Sequence, residues 1–159
     1  LISIEQAHSL DDFIATGTML NSDVTAELLT SIFVTSTPLH DGAVIIQGDK
    51  IACASAYFPP TNLELPSRYG ARHRAAIGIS EITDAVTVVV SEETGTVSIT
   101  EGGKIFVMHG RNELRDYLMR VICGEVTEVK TKHTGTMPVS EDFTAMNANK
   151  NPEKKENVH

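Results

Sequence analysis

At 159 residues, with 41% hydrophobic and 21% charged residues and no tryptophan, the chain has the make-up of one soluble globular domain rather than a disordered or membrane-embedded segment. Its formal charge of −8 weighs against a non-specific nucleic-acid binder, because phosphate backbones are held chiefly by clustered Lys and Arg. Any phosphate binding must be local. The apolar runs 43–46 and 85–90 have strand length, well short of the roughly 20 residues a spanning helix needs. No Met and no basic-then-apolar leader opens the sequence, which reads as a chain trimmed at its N-terminus. Cys53 and Cys123 read as buried free thiols in a reducing compartment, not as a disulfide framework.

In chain order, the capping candidates Asn21, Ser22 and Asp23 followed by Val24, Leu28, Leu29, Ile32 and Phe33 predict an amphipathic helix over 21–33. Two apolar strands follow, 43–46 and 51–58, joined by a turn at Gly48-Asp49 and stopped by Pro59-Pro60. Residues 61–70 read as a loop. A helix is expected over 72–82 with Ala75, Ala76, Ile79 and Ile82 as its apolar side and Gly78 as its weak position. The β-branched run 85–91 predicts a strand buried on both faces, and 97–100 and 105–108 predict a hairpin about Gly102-Gly103. Leu114, Leu118, Val121 and Ile122 give a last helix over 112–123 that packs on the sheet and stops at Gly124. Residues 125–159 lose periodicity and read as a mobile or partner-binding extension of a folded domain spanning 1–124. The expected fold class is α/β, a single domain whose mixed central β-sheet is flanked by helices.

Three segments carry candidate chemistry. His40-Asp41-Gly42-Ala43 sets two metal- or proton-handling groups before an apolar strand, followed by small residues that let a ligand approach the backbone; a simple capped turn accounts for the same residues. Arg72-His73-Arg74 is the one dense basic cluster, and a guanidinium binds two phosphate oxygens at once. Gly70 and Ala71 stand just before it where a helix begins, so free amides and the helix dipole favour an anion there; a solvated basic turn is the plainer alternative. Ser91-Glu92-Glu93-Thr94-Gly95 follows a buried strand, with Ser91 suited to a phosphate and Glu92 or Glu93 to a hard cation.

Jointly, these segments resemble the diadenylate cyclase domain, with its paired Asp-Gly-Ala and Arg-His-Arg motifs at 41–43 and 72–74 and matching context at 38–40, 75–78 and 91–95. The likeness covers most of 20–110 and is greatest to the membrane-anchored type, whose catalytic domain faces the cytoplasm at the cell membrane. Ala71 departs from the Thr that many relatives carry there.

The resemblance implies condensation of two ATP into cyclic di-AMP. It puts the phosphates on Arg72, His73, Arg74 and Ser91 and the adenine near Tyr57 and Phe58. Asp41 acts on the attacking hydroxyl, beside Gly42 and Ala43. It further implies a divalent cation (Mn²⁺, Mg²⁺ or Co²⁺) on His40 and Glu93, a face-to-face homodimer, and membrane-associated regulatory proteins as partners, with no nucleic acid. The rival reading is a module that senses ATP or cyclic di-AMP without turnover. A third is an interaction domain acting through its C-terminal extension.

Overall fold

The computed structural model describes residues 1–124, so the extension expected over 125–159 lies outside the described residues. The strands are β1 (Ile2–Ile4), β2 (Thr18–Asp23), β3 (Ala43–Gln47), β4 (Lys50–Ala56), β5 (Val86–Val90), β6 (Val97–Glu101) and β7 (Lys104–Val107). The helices are α1 (Asp11–Ile14), α2 (Ala26–Ile32), α3 (Ala71–Ile82) and α4 (Arg111–Cys123), with one helical turn at Pro38–His40. All the strands join one mixed sheet in the order β2-β4-β3-β1-β5-β6-β7, as the α/β reading expects.

Strand β1 holds this sheet together. It runs parallel to β3, with Ile2 opposite Val44, and antiparallel to β5, with Ile2 opposite Val88. Three residues thus join two antiparallel halves. The buried hydroxyls of Ser3 and Thr87 meet at 2.9 Å across the seam. The exit from β1 is tied down as well. Glu5 accepts from the Leu10 N–H at 2.8 Å, and Asp84 accepts from the N–H groups of Ala7 and His8 at 3.1 and 2.9 Å.

Side chains alternate across the sheet with period two. Ile45 faces Leu10, Ile14, Cys53, Phe58 and Ile79, while Val44 and Ile46 face Ile32, Leu28 and Ile51. Each fully buried isoleucine among these contributes about 1.5–3 kcal/mol. Both faces of β3 are therefore covered.

Several local expectations are corrected. Asn21, Ser22 and Asp23 belong to β2, where Ser22 and Asp23 pair with Ile51 and Lys50, and the helix starts after Thr25, whose side chain accepts from the Leu28 N–H at 3.1 Å. Asn21 takes a left-handed φ of 49° at the register shift in β2, a conformation asparagine tolerates. Strand β5 is buried on both faces, at Val86 and at Thr87 and Val89, except at its end, where Val90 is half exposed. Helix α4 buries none of its residues, and Ile122 and Cys123 are exposed. The Tyr117 hydroxyl of α4 donates to Glu101 on β6, and burial together with that carboxylate pushes the phenol above its ordinary pKa.

Gly78 is the point of closest approach between α3 and the chain leaving β4. A Cβ there would lie 2.0 Å from the Pro59 carbonyl oxygen and 2.9 Å from the Thr61 nitrogen. The segment 59–61 is strapped to α3 by three bonds. The Thr61 N–H donates to the Arg74 carbonyl at 2.9 Å, Arg74 Nη2 donates to the Thr61 carbonyl at 2.9 Å, and Thr61 Oγ1 donates to Glu81 at 2.8 Å. Gly78→Ala should therefore destabilise the domain by about 2 kcal/mol, even though alanine is the better helix former by about 1 kcal/mol. Urea unfolding checks this, and a variant as stable as the parent would mean that the strap yields.

Candidate active site

The pairing about β1 decides which loops meet. Ala43 opposes Ala56, Ile2 opposes both Val44 and Val88, and Val90 opposes Val97. The start of β3 and the ends of β4 and β5 therefore share one end of the sheet. Asp41, the chain after Ala56, and Ser91 all emerge there, with β3 and β5 about 10 Å apart across β1.

The Pro38–His40 turn delivers Asp41 to the surface. Gly42 has φ 100°, and a Cβ on it would lie 2.7 Å from the Ala56 carbonyl oxygen, so glycine is required on both counts. Ala43 is fully buried in the core and frees no space for a ligand, contrary to the expectation. His40 donates through Nδ1 to the Thr37 carbonyl at 2.5 Å. That bond sets the tautomer and leaves Nε2 with its lone pair, the arrangement that metal-ligating histidines use.

One pocket is lined by Gly70, Ala71, Arg72 and His73 at the start of α3 and by Ser91, Glu92 and Glu93 from the β5–β6 turn, together with Arg68 from the preceding loop. Gly70 caps α3 without a side-chain bond, so the first amides of a twelve-residue helix remain available to an anion. Arg72 forms an ion pair with Glu92. Ser91 is buried and closes its turn by accepting from the Thr94 N–H through Oγ at 3.3 Å, which leaves the hydroxyl proton to donate.

Three expected site residues are placed differently. Arg74 spends its guanidinium on the Thr61 carbonyl and does not line the pocket. His73 is only 5% exposed and lies against Tyr69, ring centroids 5.1 Å apart. Burial holds its imidazole below the ordinary pKa, so it adds shape but no charge at neutral pH. Phe58 is core, packed edge-on against Phe13 at 5.7 Å, and offers no face to a base. Tyr57 is 65% exposed, its N–H held by Thr16 Oγ1 at 2.9 Å. Arg68, Tyr69 and Thr16 escaped the sequence reading. Of these only Arg68 left a signal, a basic residue four positions ahead of Arg72.

Of the donors expected for a divalent cation, Glu93 lines the pocket, whereas His40 stands outside that lining, in the turn before β3. Among the described residues no three His, Cys, Asp or Glu side chains converge as a ligand set. A divalent cation held there would need substrate phosphate oxygens to complete its shell.

Residues 1–105 match the family described as DisA bacterial checkpoint controller nucleotide-binding. The chain is 49% identical to the diadenylate cyclase of Listeria monocytogenes serotype 1/2a (strain 10403S) over 121 residues, which are 76% of this chain and 44% of that protein. It thus spans less than half the length of this curated relative. A double-mutant DacA from Staphylococcus aureus is similar in structure, with a TM-score of 0.70 and 46% identity over 76% of this chain and 80% of that one. A hypothetical membrane spanning protein from Bacillus cereus gives a TM-score of 0.65 and 44% identity over 69% of this chain and 54% of the other.

The buried, neutral His73 makes stability depend on pH. Its pKa is depressed in the folded state, so its contribution is complete above the unfolded value near 6.5 and is lost as the pH falls through the folded value. The urea midpoint of the parent should fall between about pH 7.5 and about pH 5, and His73→Gln should flatten that slope whatever its own stability. Parallel slopes would show that His73 does not titrate on unfolding.

Proposed function

The chain belongs to the DisA bacterial checkpoint controller nucleotide-binding family, and from that premise we propose that it is the catalytic domain of a diadenylate cyclase, condensing two ATP into cyclic di-AMP. The observation that carries this reading is the convergence at one end of the sheet of an exposed Asp41 with the anion pocket of Arg72, Ser91 and the uncapped start of α3. A sensor needs the pocket alone. An exposed carboxylate at the same sheet end, followed by a glycine that admits no Cβ, is what an enzyme adds.

The chemistry is two in-line displacements. In each, a 3′-oxygen forms a bond to the α-phosphorus of the other ATP, the bond from that phosphorus to the bridging oxygen breaks, and pyrophosphate leaves with the electron pair. The hydroxyl proton passes to Asp41 or, through it, to solvent. Such transfers are catalysed mainly by positioning and charge stabilisation. Arg72, Ser91 and the α3 amides hold the phosphates, and Asp41 aims the hydroxyl. A divalent cation on His40 and Glu93 would neutralise phosphate charge; the donors admit Mn²⁺ or Co²⁺ as well as Mg²⁺. Adenine belongs beside the exposed ring of Tyr57.

The surface ion pair of Arg72 with Glu92 costs little to exchange. An exposed pair contributes about 0–1 kcal/mol, whereas a charge-assisted bidentate phosphate contact is roughly twice as strong as a neutral hydrogen bond. One subunit holds one ATP, so the ring requires two sites facing each other across a two-fold axis, that is, a homodimer. The membrane-spanning relative supports placing the whole protein at the membrane, and the domain is proposed to face the cytoplasm. Among the described residues no helix is long and apolar enough to cross a membrane.

Asp41→Asn should abolish cyclisation while ATP affinity stays within about tenfold. Titrated into the parent under subunit exchange, the variant should lower cyclic product faster than the parent's share falls, because a mixed dimer cannot close the ring. Near-normal turnover in Asp41→Asn, measured alongside calorimetric ATP binding, would remove Asp41 from the reaction.

A further inference from the structure

The two guanidiniums of Arg72-His73-Arg74 do not share a site, because Arg74 is committed to the Thr61 carbonyl while Arg72 lines the pocket. A second guanidinium is nevertheless present. Arg68 lines the same pocket with its Cζ 4.9 Å from the centroid of the Tyr69 ring. Tyr69 is a firm base for it, buried among Ala76, Ile77, Val89 and Ile105, with its ring tilted at 52° against His73, and turned in by its N–H bond to the Pro66 carbonyl at 3.0 Å. A cation over an aromatic face at an exposed site gains about 0.5–1 kcal/mol, enough to bias the side chain's position without using its N–H donors. The polar contact it makes is a long one, 3.4 Å to the Tyr69 hydroxyl. The ion pairs among the described residues are Lys50–Asp23 and Arg72–Glu92, so no carboxylate there claims Arg68.

Its place along the sheet says which part of a nucleotide it meets. Asp41 precedes β3, whereas Tyr69 packs on Val89 of β5 and Ile105 of β7, across β1 from Asp41. With the reacting α-phosphorus toward Asp41, the rest of the triphosphate runs toward β5 and the Arg68 side. Ala71 lines that side with a methyl group and offers no hydroxyl. We propose that Arg68, held on the Tyr69 ring, is the second phosphate-binding guanidinium of this pocket and takes the outer two phosphates, the pair that leaves as pyrophosphate. This rests on the reading of the pocket as a nucleoside triphosphate site. As the bond to the α-phosphorus breaks, negative charge grows on the departing pyrophosphate, so the same contact strengthens in the transition state.

Calorimetry of ATP and AMP binding to the whole chain tests this. Arg68 is exposed, so Arg68→Gln leaves the fold intact. It should weaken ATP about tenfold while AMP, which lacks the outer phosphates, changes less than about twofold. Arg68→Lys should restore part of the loss, since it keeps the charge without the fork. Tyr69→Leu, checked for folding by circular dichroism, should lose ATP affinity in the same selective way. Arg68→Gln with an unchanged ratio of ATP to AMP affinity would overturn the role of Arg68 alone. A parent chain that binds ATP no more tightly than AMP would overturn the triphosphate site and Arg68's role with it.

Discussion

The three residues of β1 are the constraint on which the site depends. Without the pairing of Ile2 to both Val44 and Val88, the strands would form two separate antiparallel sheets, one ending at Asp41 and the other at Ser91. A parallel partner on one side and an antiparallel partner on the other is what turns the start of β3 and the end of β5 to the same edge. The buried Ser3–Thr87 hydroxyl pair and the carboxylate anchors of Glu5 and Asp84 fix a strand too short to hold its register by apolar burial alone.

The second constraint is the strap over Gly78. Helix α3 carries the anion pocket at its start, and the chain from β4 reaches that start only by crossing the helix within backbone contact distance. Arg74 and Thr61 bind the crossing in both directions. The Arg-His-Arg segment is thereby divided among charge, packing and scaffold. Arg72 lines the pocket, His73 lies against Tyr69, and Arg74 holds the loop that connects Tyr57 to Arg68.

Much of this was legible in the sequence because it lies in long, strongly patterned elements or in compact motifs. The strands expected over 43–46, 51–58 and 85–91 and the helix expected over 72–82, read from apolar pattern and glycine punctuation, stand at Ala43–Gln47, Lys50–Ala56, Val86–Val90 and Ala71–Ile82. The juxtaposition of Arg72 with Ser91 and Glu92 followed from motif resemblance, and the structure supplies its geometric cause. Strand β1 and helix α1 were missed because three- and four-residue elements carry almost no period. Strand β2 was misread as a helix start because Asn21, Ser22 and Asp23 are good caps and also fit a bulged edge strand, where pairing with Lys50 and Ile51 decides. Phe58 is assigned to the ligand by resemblance and Arg74 by resemblance and residue type, and only their tertiary neighbours, Phe13 and Thr61, show where their faces and donors are spent.

The central claim is that this domain closes a ring between two nucleotides. Incubating the chain with ATP and Mn²⁺ and resolving the products by mass spectrometry tests it most directly. The account predicts a cyclic dinucleotide of adenosine monophosphate, with two pyrophosphates released for each ring. ATP recovered intact by a chain that binds it, or converted only to ADP and phosphate, would contradict the account.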